Sequence, residues 1–215
     1  MKIKKFMTHY RHALLPVVYW FFYMTAFFYL EQQNTTNFHV IHMKIDDYIP
    51  FCEYFVIPYY AWFLYIAAVV VLFIFLDKKD YYRLCIMLGV GMTVFLIVSY
   101  VYPNGHLLRP TSFPRDNIFV DMIRLLYRAD TSTNIFPSIH CYNAIAANIA
   151  IHKSRQLSDK KWLQWGSGIL SITIVVSTMF IKQHSAFDVI TAILMAGIMY
   201  LVVYQFSEKK VVKFN

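Results

Sequence analysis

The strongest constraint on this chain is a series of apolar runs that charge scarcely interrupts. Residues 13–30, 54–76, 84–102, 162–181 and 186–206 carry a single ionised side chain among them, Asp188. A helix needs roughly 20 apolar residues, within a range of about 17–25, to cross the hydrocarbon of a bilayer, and all five runs have that length. A helix on a soluble core would break each run every few residues to form a wet face. Strands of a membrane barrel would alternate with period two, and residues 66–76 do not alternate. A further apolar run, 141–151, is too short alone. It reaches crossing length only if it begins near Ile135, which gives a span near 135–152 and places His140 inside its outer end. The expected fold is all-α: a polytopic membrane protein with six transmembrane helices in one membrane-embedded domain, residues 1–215. Composition agrees, with 59% hydrophobic and 15% charged residues against about 45–50% and 25% in soluble domains.

The basic residues sort by segment. Lys2, Lys4, Lys5 and Arg11 accompany the first run, and Lys78, Lys79 and Arg83 follow the second. Lys153, Arg155, Lys160 and Lys161 follow the fourth, and Lys209, Lys210 and Lys213 follow the last. In a six-span chain these segments share one side, and short loops rich in Lys and Arg stay in the cytoplasm. Both termini are therefore expected to be cytoplasmic. The net charge of +8 then reflects topology and attraction to anionic lipid, and no nucleic-acid partner is expected. The first run exceeds the 7–15 apolar residues of a signal peptide and lacks an A-x-A site, so it reads as a span. Cys52, Cys85 and Cys141 fall outside, inside and within a span, so neither a disulfide nor a metal site is expected.

Segments 31–53, 103–134 and 182–185 face the opposite side. The middle one holds Arg109, Arg115, Arg124 and Arg128, partly offset by Asp116, Asp121 and Asp130. Two readings stay open: an amphipathic surface segment with solvated charges, or guanidinium groups that hold an anion. Asp46 and Asp47 read most simply as a solvated acidic turn, and otherwise as partners of an outward arginine or a cationic head group. Asn34-Thr35-Thr36 is an outer N-x-T triplet. The four tryptophans, Trp62 among them, read as packing or interface residues.

Ionisable groups near membrane spans usually face a cavity or a partner. Here His140, His184, Asp188 and Arg109, distant in sequence, are expected at one membrane face. Each alone has an ordinary reading as an interfacial or helix-start residue. His184 and Asp188 stand at i, i+4, adjacent on a helix, and a carboxylate on one imidazole nitrogen raises the basicity of the other. In Phe136-Pro137-Ser138-Ile139-His140, proline suits a first helical turn. The free amides after it form an anion site, to which Ser138 and His140 add donors.

Pro-Ser-x-His before one span, His-x-x-x-Asp opening a later one, and Arg109-Pro110 upstream together resemble the type-2 phosphatidic acid phosphatase superfamily, whose pattern is KxxxxxxRP, PSGH and SRxxxxxHxxxD. The resemblance implies a lipid phosphatase with His184 as nucleophile, Asp188 as its orienting partner and His140 as general acid. Arg109, Ser138 and the amide near Ile139 would hold phosphate oxygens. The sequence departs at three positions: Tyr102 stands for the lysine, Ile139 for the glycine and Thr178, beside Ser177, for the arginine of the third motif. Lys182, Arg115 or Arg128 would then supply a missing cation, with Lys182 nearest in sequence. Ser177-Thr178-Met179 is similar to the branch containing inositol phosphorylceramide synthases, which implies head-group transfer to a hydroxyl as the alternative. A non-catalytic relative of the fold is the remaining alternative. No cofactor is implied, the substrate would be a membrane lipid phosphate, and the expected setting is a bacterial cytoplasmic membrane with the site facing outward. The sequence sets no oligomeric state.

Overall fold

The computed structural model describes residues 11–33 and 37–206. The basic residues at positions 2–5 and 209–213 and the N-x-T triplet at 34–36 lie outside the described residues. Among the described residues seven α-helices dominate: α1 (Leu14–Gln33), α2 (Val56–Ile74), α3 (Lys78–Val101), α4 (Ile118–Ala129), α5 (Ile139–Lys153), α6 (Lys161–Phe180) and α7 (Ala186–Tyr200), the last continuing as a π-helix over Leu201–Phe206. Two-residue strands β1 (His39–Val40) and β2 (Asn104–Gly105) pair in parallel. Among the described residues, five helical stretches are long and apolar enough to cross a membrane: Arg11–Gln33, Glu53–Ile74, Lys78–Val101, Lys161–Phe180 and Ala186–Gln205. They match the five long apolar runs.

The fourth run differs from expectation. α5 begins at Ile139, not near Ile135, and its 15 residues span about 22 Å at 1.5 Å per residue, short of the roughly 30 Å of bilayer hydrocarbon. Asn104 is the physical reason. Its Oδ1 accepts the amides of Ile135 and Phe136 at 3.0 and 2.9 Å, which holds the approach to Pro137 out of the helix. Ser138 then caps the helix, accepting the Cys141 N–H at 3.3 Å.

α5 is the centre of the bundle, packed against α2, α3, α6 and α7. Ten of its residues are buried, among them Ala144, Ala146, Ala147 and Ala150, and small side chains let neighbouring helices approach closely. The surrounding helices turn large apolar groups outward: Val18, Phe21 and Leu64 are 67%, 62% and 76% exposed. Water penalises such a surface and lipid does not.

Helix direction separates two ends. The N-terminus of α3 and the C-terminus of α5 share one end, where Lys79, Arg83, Lys153 and Arg155 line a cavity of about 280 Å³ with Asp77 and Asp80. The other end is closed by segments 37–55 and 103–134. There α4 lies on α2 and the Glu53–Phe55 turn, burying Val120, Ile123 and Leu126. Asn117 caps α4 by accepting the amides of Phe119 and Val120. The arginines of this segment divide: Arg124 is ion-paired with Asp116 and Asp121 at 2.9 and 2.8 Å, and Arg115 with the buried Glu53 at 2.8 Å.

One close approach shapes the core. A Cβ on Gly91 of α3 would lie 1.9 Å from the Tyr142 ring, whereas one on Gly89 meets nothing within 4 Å. Gly91→Ala is expected to destabilise the protein by about 1–3 kcal/mol through overpacking, and Gly89→Ala to leave stability equal or slightly higher. Thermal denaturation in detergent checks the pair.

Candidate active site

The turn between α6 and α7 is built by two adjoining helix ends. α6 closes in a Schellman turn: Lys182 N–H bonds the Met179 carbonyl at 3.1 Å and Gln183 N–H bonds the Thr178 carbonyl at 2.9 Å. Lys182 takes the left-handed φ of 55° that glycine usually supplies. Its side chain explains the lysine, because Nζ donates to the carbonyls of Asp46 and Ile49 at 2.9 and 2.5 Å and straps the 46–49 segment to the turn. Burial lowers the pKa of this ammonium.

α7 opens in a capping box. Ser185 Oγ accepts the Phe187 N–H at 3.2 Å, and Asp188 Oδ2 accepts the Ser185 N–H at 2.8 Å. Asp46 completes the cap: Oδ1 accepts the Ala186 N–H at 2.8 Å, and Oδ2 accepts the Ser185 hydroxyl at 2.6 Å and the Met43 N–H at 2.8 Å. Asp46 is therefore neither a solvated turn residue nor the partner of an arginine or head group, because donors at a helix start hold it in the interior. Asp47 remains exposed and pairs with His42 at 2.8 Å.

These devices bring the sequence-predicted triad together. His184 Nδ1 lies 3.5 Å from Asp188 Oδ2, and His184 Nε2 lies 3.4 Å from His140 Nδ1. All three side chains are buried. The first distance is an ion-pair separation without hydrogen-bond alignment, and His184 Nδ1 and Asp188 Oδ1 are buried without a hydrogen-bond partner among the described residues. Ser138 and Ile139 lie beside His140 at the start of α5, both buried.

The network continues beyond His140. Its Nε2 lies 3.0 Å from Tyr59 Oη on α2, and the Tyr59 hydroxyl donates to Asp130 Oδ2 at 2.8 Å. Gln183 Nε2 donates to the same carboxylate oxygen at 3.0 Å and to Tyr59 Oη at 3.3 Å. Arg109 donates to Gln183 Oε1. It also donates to the carbonyls of Tyr127, Asp130 and Thr131 at 3.1, 2.6 and 2.7 Å. Its guanidinium lies 4.2 Å from the Tyr127 ring centroid. Arg109 thus closes the C-terminal end of α4, and its Nε is buried without a hydrogen-bond partner among the described residues. Burial lowers its pKa, against which Asp130 acts, and the group stays charged. Trp62 packs its ring 4.4 Å from that of His140.

With Arg109, Ser138, His140, His184 and Asp188 thus assembled, the matching family model covers all of them. Residues 108–211 match the family model of the PAP2 superfamily. Comparison with curated proteins and with solved structures gave no match. PAP2 members are typically phosphoesterases or phosphotransferases. The match excludes α1, α2 and α3, so Tyr59 reaches the site from outside the PAP2 segment.

At the departures from the PAP2 motifs, neutral side chains make local contacts. Tyr102 stacks on His39 with ring centroids 4.3 Å apart. Thr178 donates its hydroxyl to the Val175 carbonyl at 2.8 Å, and its Oγ1 lies 3.5 Å from Cys141 Sγ. Of the cations considered for the vacant roles, Arg115 is held by Glu53 and Arg128 is exposed. Among the described residues, no group of three or more His, Cys, Asp or Glu is arranged to hold a metal.

Sequence reading missed Tyr59, Gln183 and His106, and counted Asp130 only as charge balance. Tyr59 sits in an apolar run, where an aromatic reads as packing. Gln183 offered one signal, its place next to His184. His106 is a buried strut: Nδ1 accepts the Leu108 N–H at 3.0 Å, so Nε2 carries the proton donated to the Gln183 carbonyl at 3.0 Å. Only the neutral ring satisfies both bonds. Burial, and then the charge of Arg109, push its pKa from 6.5 to about 3. Between those values the unfolded chain binds the proton and the folded one does not, so stability present above pH 6.5 is lost on acidification toward pH 3, at up to about 1.4 kcal/mol per pH unit. The melting temperature of His106→Asn is expected to depend less steeply on pH over this range than that of wild type. Equal slopes would contradict the assignment.

Proposed function

We propose that this protein is a membrane-embedded lipid phosphatase that works through a phosphohistidine intermediate. The observation that carries the reading is the contact of His184 with both Asp188 and His140, at 3.5 and 3.4 Å, within the PAP2 segment and at one end of an apolar bundle. Asp188 orients His184 and stabilises positive charge on its ring. His184 Nε2 attacks phosphorus as the bond to the leaving oxygen breaks, and His140 gives that oxygen its Nδ1 proton. Water then attacks the phosphoryl group, passing a proton back to His140 as the nitrogen–phosphorus bond breaks and phosphate leaves. Ser138, the amide of Ile139 and the positive start of α5 suit the phosphoryl oxygens. Arg109 offers its unpartnered Nε, and Lys182 adds positive charge on the adjoining turn. Substrate entry parts the two imidazoles, whose present spacing suits a shared proton and leaves no room for phosphorus.

The topology follows the same reading. α5 is the short inner member of six spans, both termini are cytoplasmic, and the site faces the outer side of a bacterial cytoplasmic membrane. The basic groups of 78–83 and 153–161 at the opposite end support this by the positive-inside rule. The lipid tail stays in the bilayer while its phosphate enters between α2, α5 and the 182–188 turn.

Thr178 in place of the motif arginine favours a second reading, transfer of a phosphorylated head group to a hydroxyl acceptor, as in the inositol phosphorylceramide synthase branch. Purified protein in vesicles separates the two: free phosphate from a lipid monophosphate supports hydrolysis, and labelled head-group transfer between lipids supports the second. In the active assay His184→Ala is expected to fall to background and His140→Ala to lose about 10²–10⁴-fold. Near-normal turnover by His184→Ala would overturn both readings and leave a non-catalytic member of the fold.

A further inference from the structure

The triad leaves one strongly built feature unused: the chain of Asp130, Tyr59 and His140 on the side of the imidazole away from His184. We infer that Tyr59 and Asp130 are positioning residues for His140, fixing which of its nitrogens holds the transferable proton. The inference rests on the reading of His140 as general acid.

Proton accounting at the Tyr59 hydroxyl carries the argument. A phenol has one proton to donate and accepts through its oxygen. That proton goes to the Asp130 carboxylate at 2.8 Å, which when ionised can only accept. Tyr59 Oη must therefore accept from the nitrogen 3.0 Å away, so His140 Nε2 is the donor. The second donor to Oη, Gln183 Nε2 at 3.3 Å, fits the same assignment. With Nε2–H committed to Tyr59, Nδ1 is the nitrogen that gains and releases a proton, and it is the one facing His184 at 3.4 Å.

The surroundings hold this arrangement in place. Asp130 Oδ2 accepts from both Tyr59 and Gln183, while Arg109 binds the Asp130 backbone carbonyl and Gln183 Oε1. The carboxylate thus sits near a fixed guanidinium. Tyr59 is fully buried, and Trp62 lies against the His140 ring, with centroids 4.4 Å apart. Each imidazole of the pair consequently has its own carboxylate, His184 directly and His140 through a phenol. The relay lowers the cost of the imidazolium form of His140 and aims its Nδ1 proton at the leaving oxygen. No proton need pass through Tyr59 for this.

A comparison of leaving groups tests the role. An alkyl lipid phosphate needs its leaving oxygen protonated, whereas p-nitrophenyl phosphate, with an acidic leaving group, needs general-acid help far less. Tyr59→Phe is expected to lower kcat for the alkyl substrate about 10–100-fold, part of the roughly 10²–10⁴ that a general acid supplies. The loss on the aryl substrate is expected to be several-fold smaller, with KM changed little on both. Asp130→Asn, nearly isosteric, should show the same selective loss, and the double variant no more than the worse single one. Tyr60→Phe, which removes a hydroxyl bonded to the Met122 carbonyl, serves as the structural control and should leave the alkyl-to-aryl ratio at the wild-type value. Equal losses on both substrates for Tyr59→Phe and Asp130→Asn, or ratios matching the control, would overturn the relay. His140→Ala in the same assay separates the two layers. A selective alkyl loss there with wild-type ratios in the relay variants refutes the relay alone. An unchanged ratio in His140→Ala refutes the general-acid reading beneath it.

Discussion

The carboxylate of Asp46 is the contact on which the site depends. It accepts from the Ser185 hydroxyl and from the Met43 and Ala186 amides, so one side chain satisfies donors at the buried start of α7 and pins the segment before α2 to it. Charge-assisted bonds of this kind contribute about 1.5–3 kcal/mol each. The consequence is positional. With Ser185 held as the cap, Asp188 falls in the first turn of α7 and His184 immediately before it, so their side chains meet. Lys182 reinforces the same joint from the other direction through the carbonyls of Asp46 and Ile49.

A second constraint comes from the solvent that the bundle faces. Apolar surroundings offer buried polar groups no water, so those groups must answer one another. Among the described residues, most of the buried acidic groups gather at one end. Glu31 of α1 accepts from Thr131 and Asn134, Glu53 binds Arg115 and Asn117, and Asp130 binds Tyr59 and Gln183. Glu31, Glu53 and Asp130 thereby tie α1, α2 and the 103–134 connection into one cover over the histidines. Among the described residues, His184 Nδ1, Asp188 Oδ1 and Arg109 Nε are buried without a hydrogen-bond partner at this end.

The long helices were legible because uninterrupted apolar runs leave little choice of structure. The shorter α5 was harder, since its start depends on Asn104 taking two amides, a contact some thirty residues distant that periodicity does not carry. The closeness of the two histidines and Asp188, at 3.4 and 3.5 Å, was legible from residue type and spacing. The roles of their neighbours were not. Tyr59 is indistinguishable in sequence from the tyrosines that only pack. Asp46 looked like a surface turn because nothing local indicates that a helix start, far along the chain, needs its oxygens. Lys182 illustrates the same limit: nothing local indicates that its Nζ reaches the carbonyls of Asp46 and Ile49.

The chemistry proposed here turns on a covalent bond between phosphorus and one nitrogen. The direct measurement is to mix the protein with a phosphorus-labelled lipid monophosphate, quench in alkali, where phosphohistidine survives, and map the label by mass spectrometry. The account predicts label on His184, bonded through Nε2, with none retained by His184→Ala. A turnover-competent protein that carries no label under single-turnover conditions, or carries it on His140 or another residue, would contradict it.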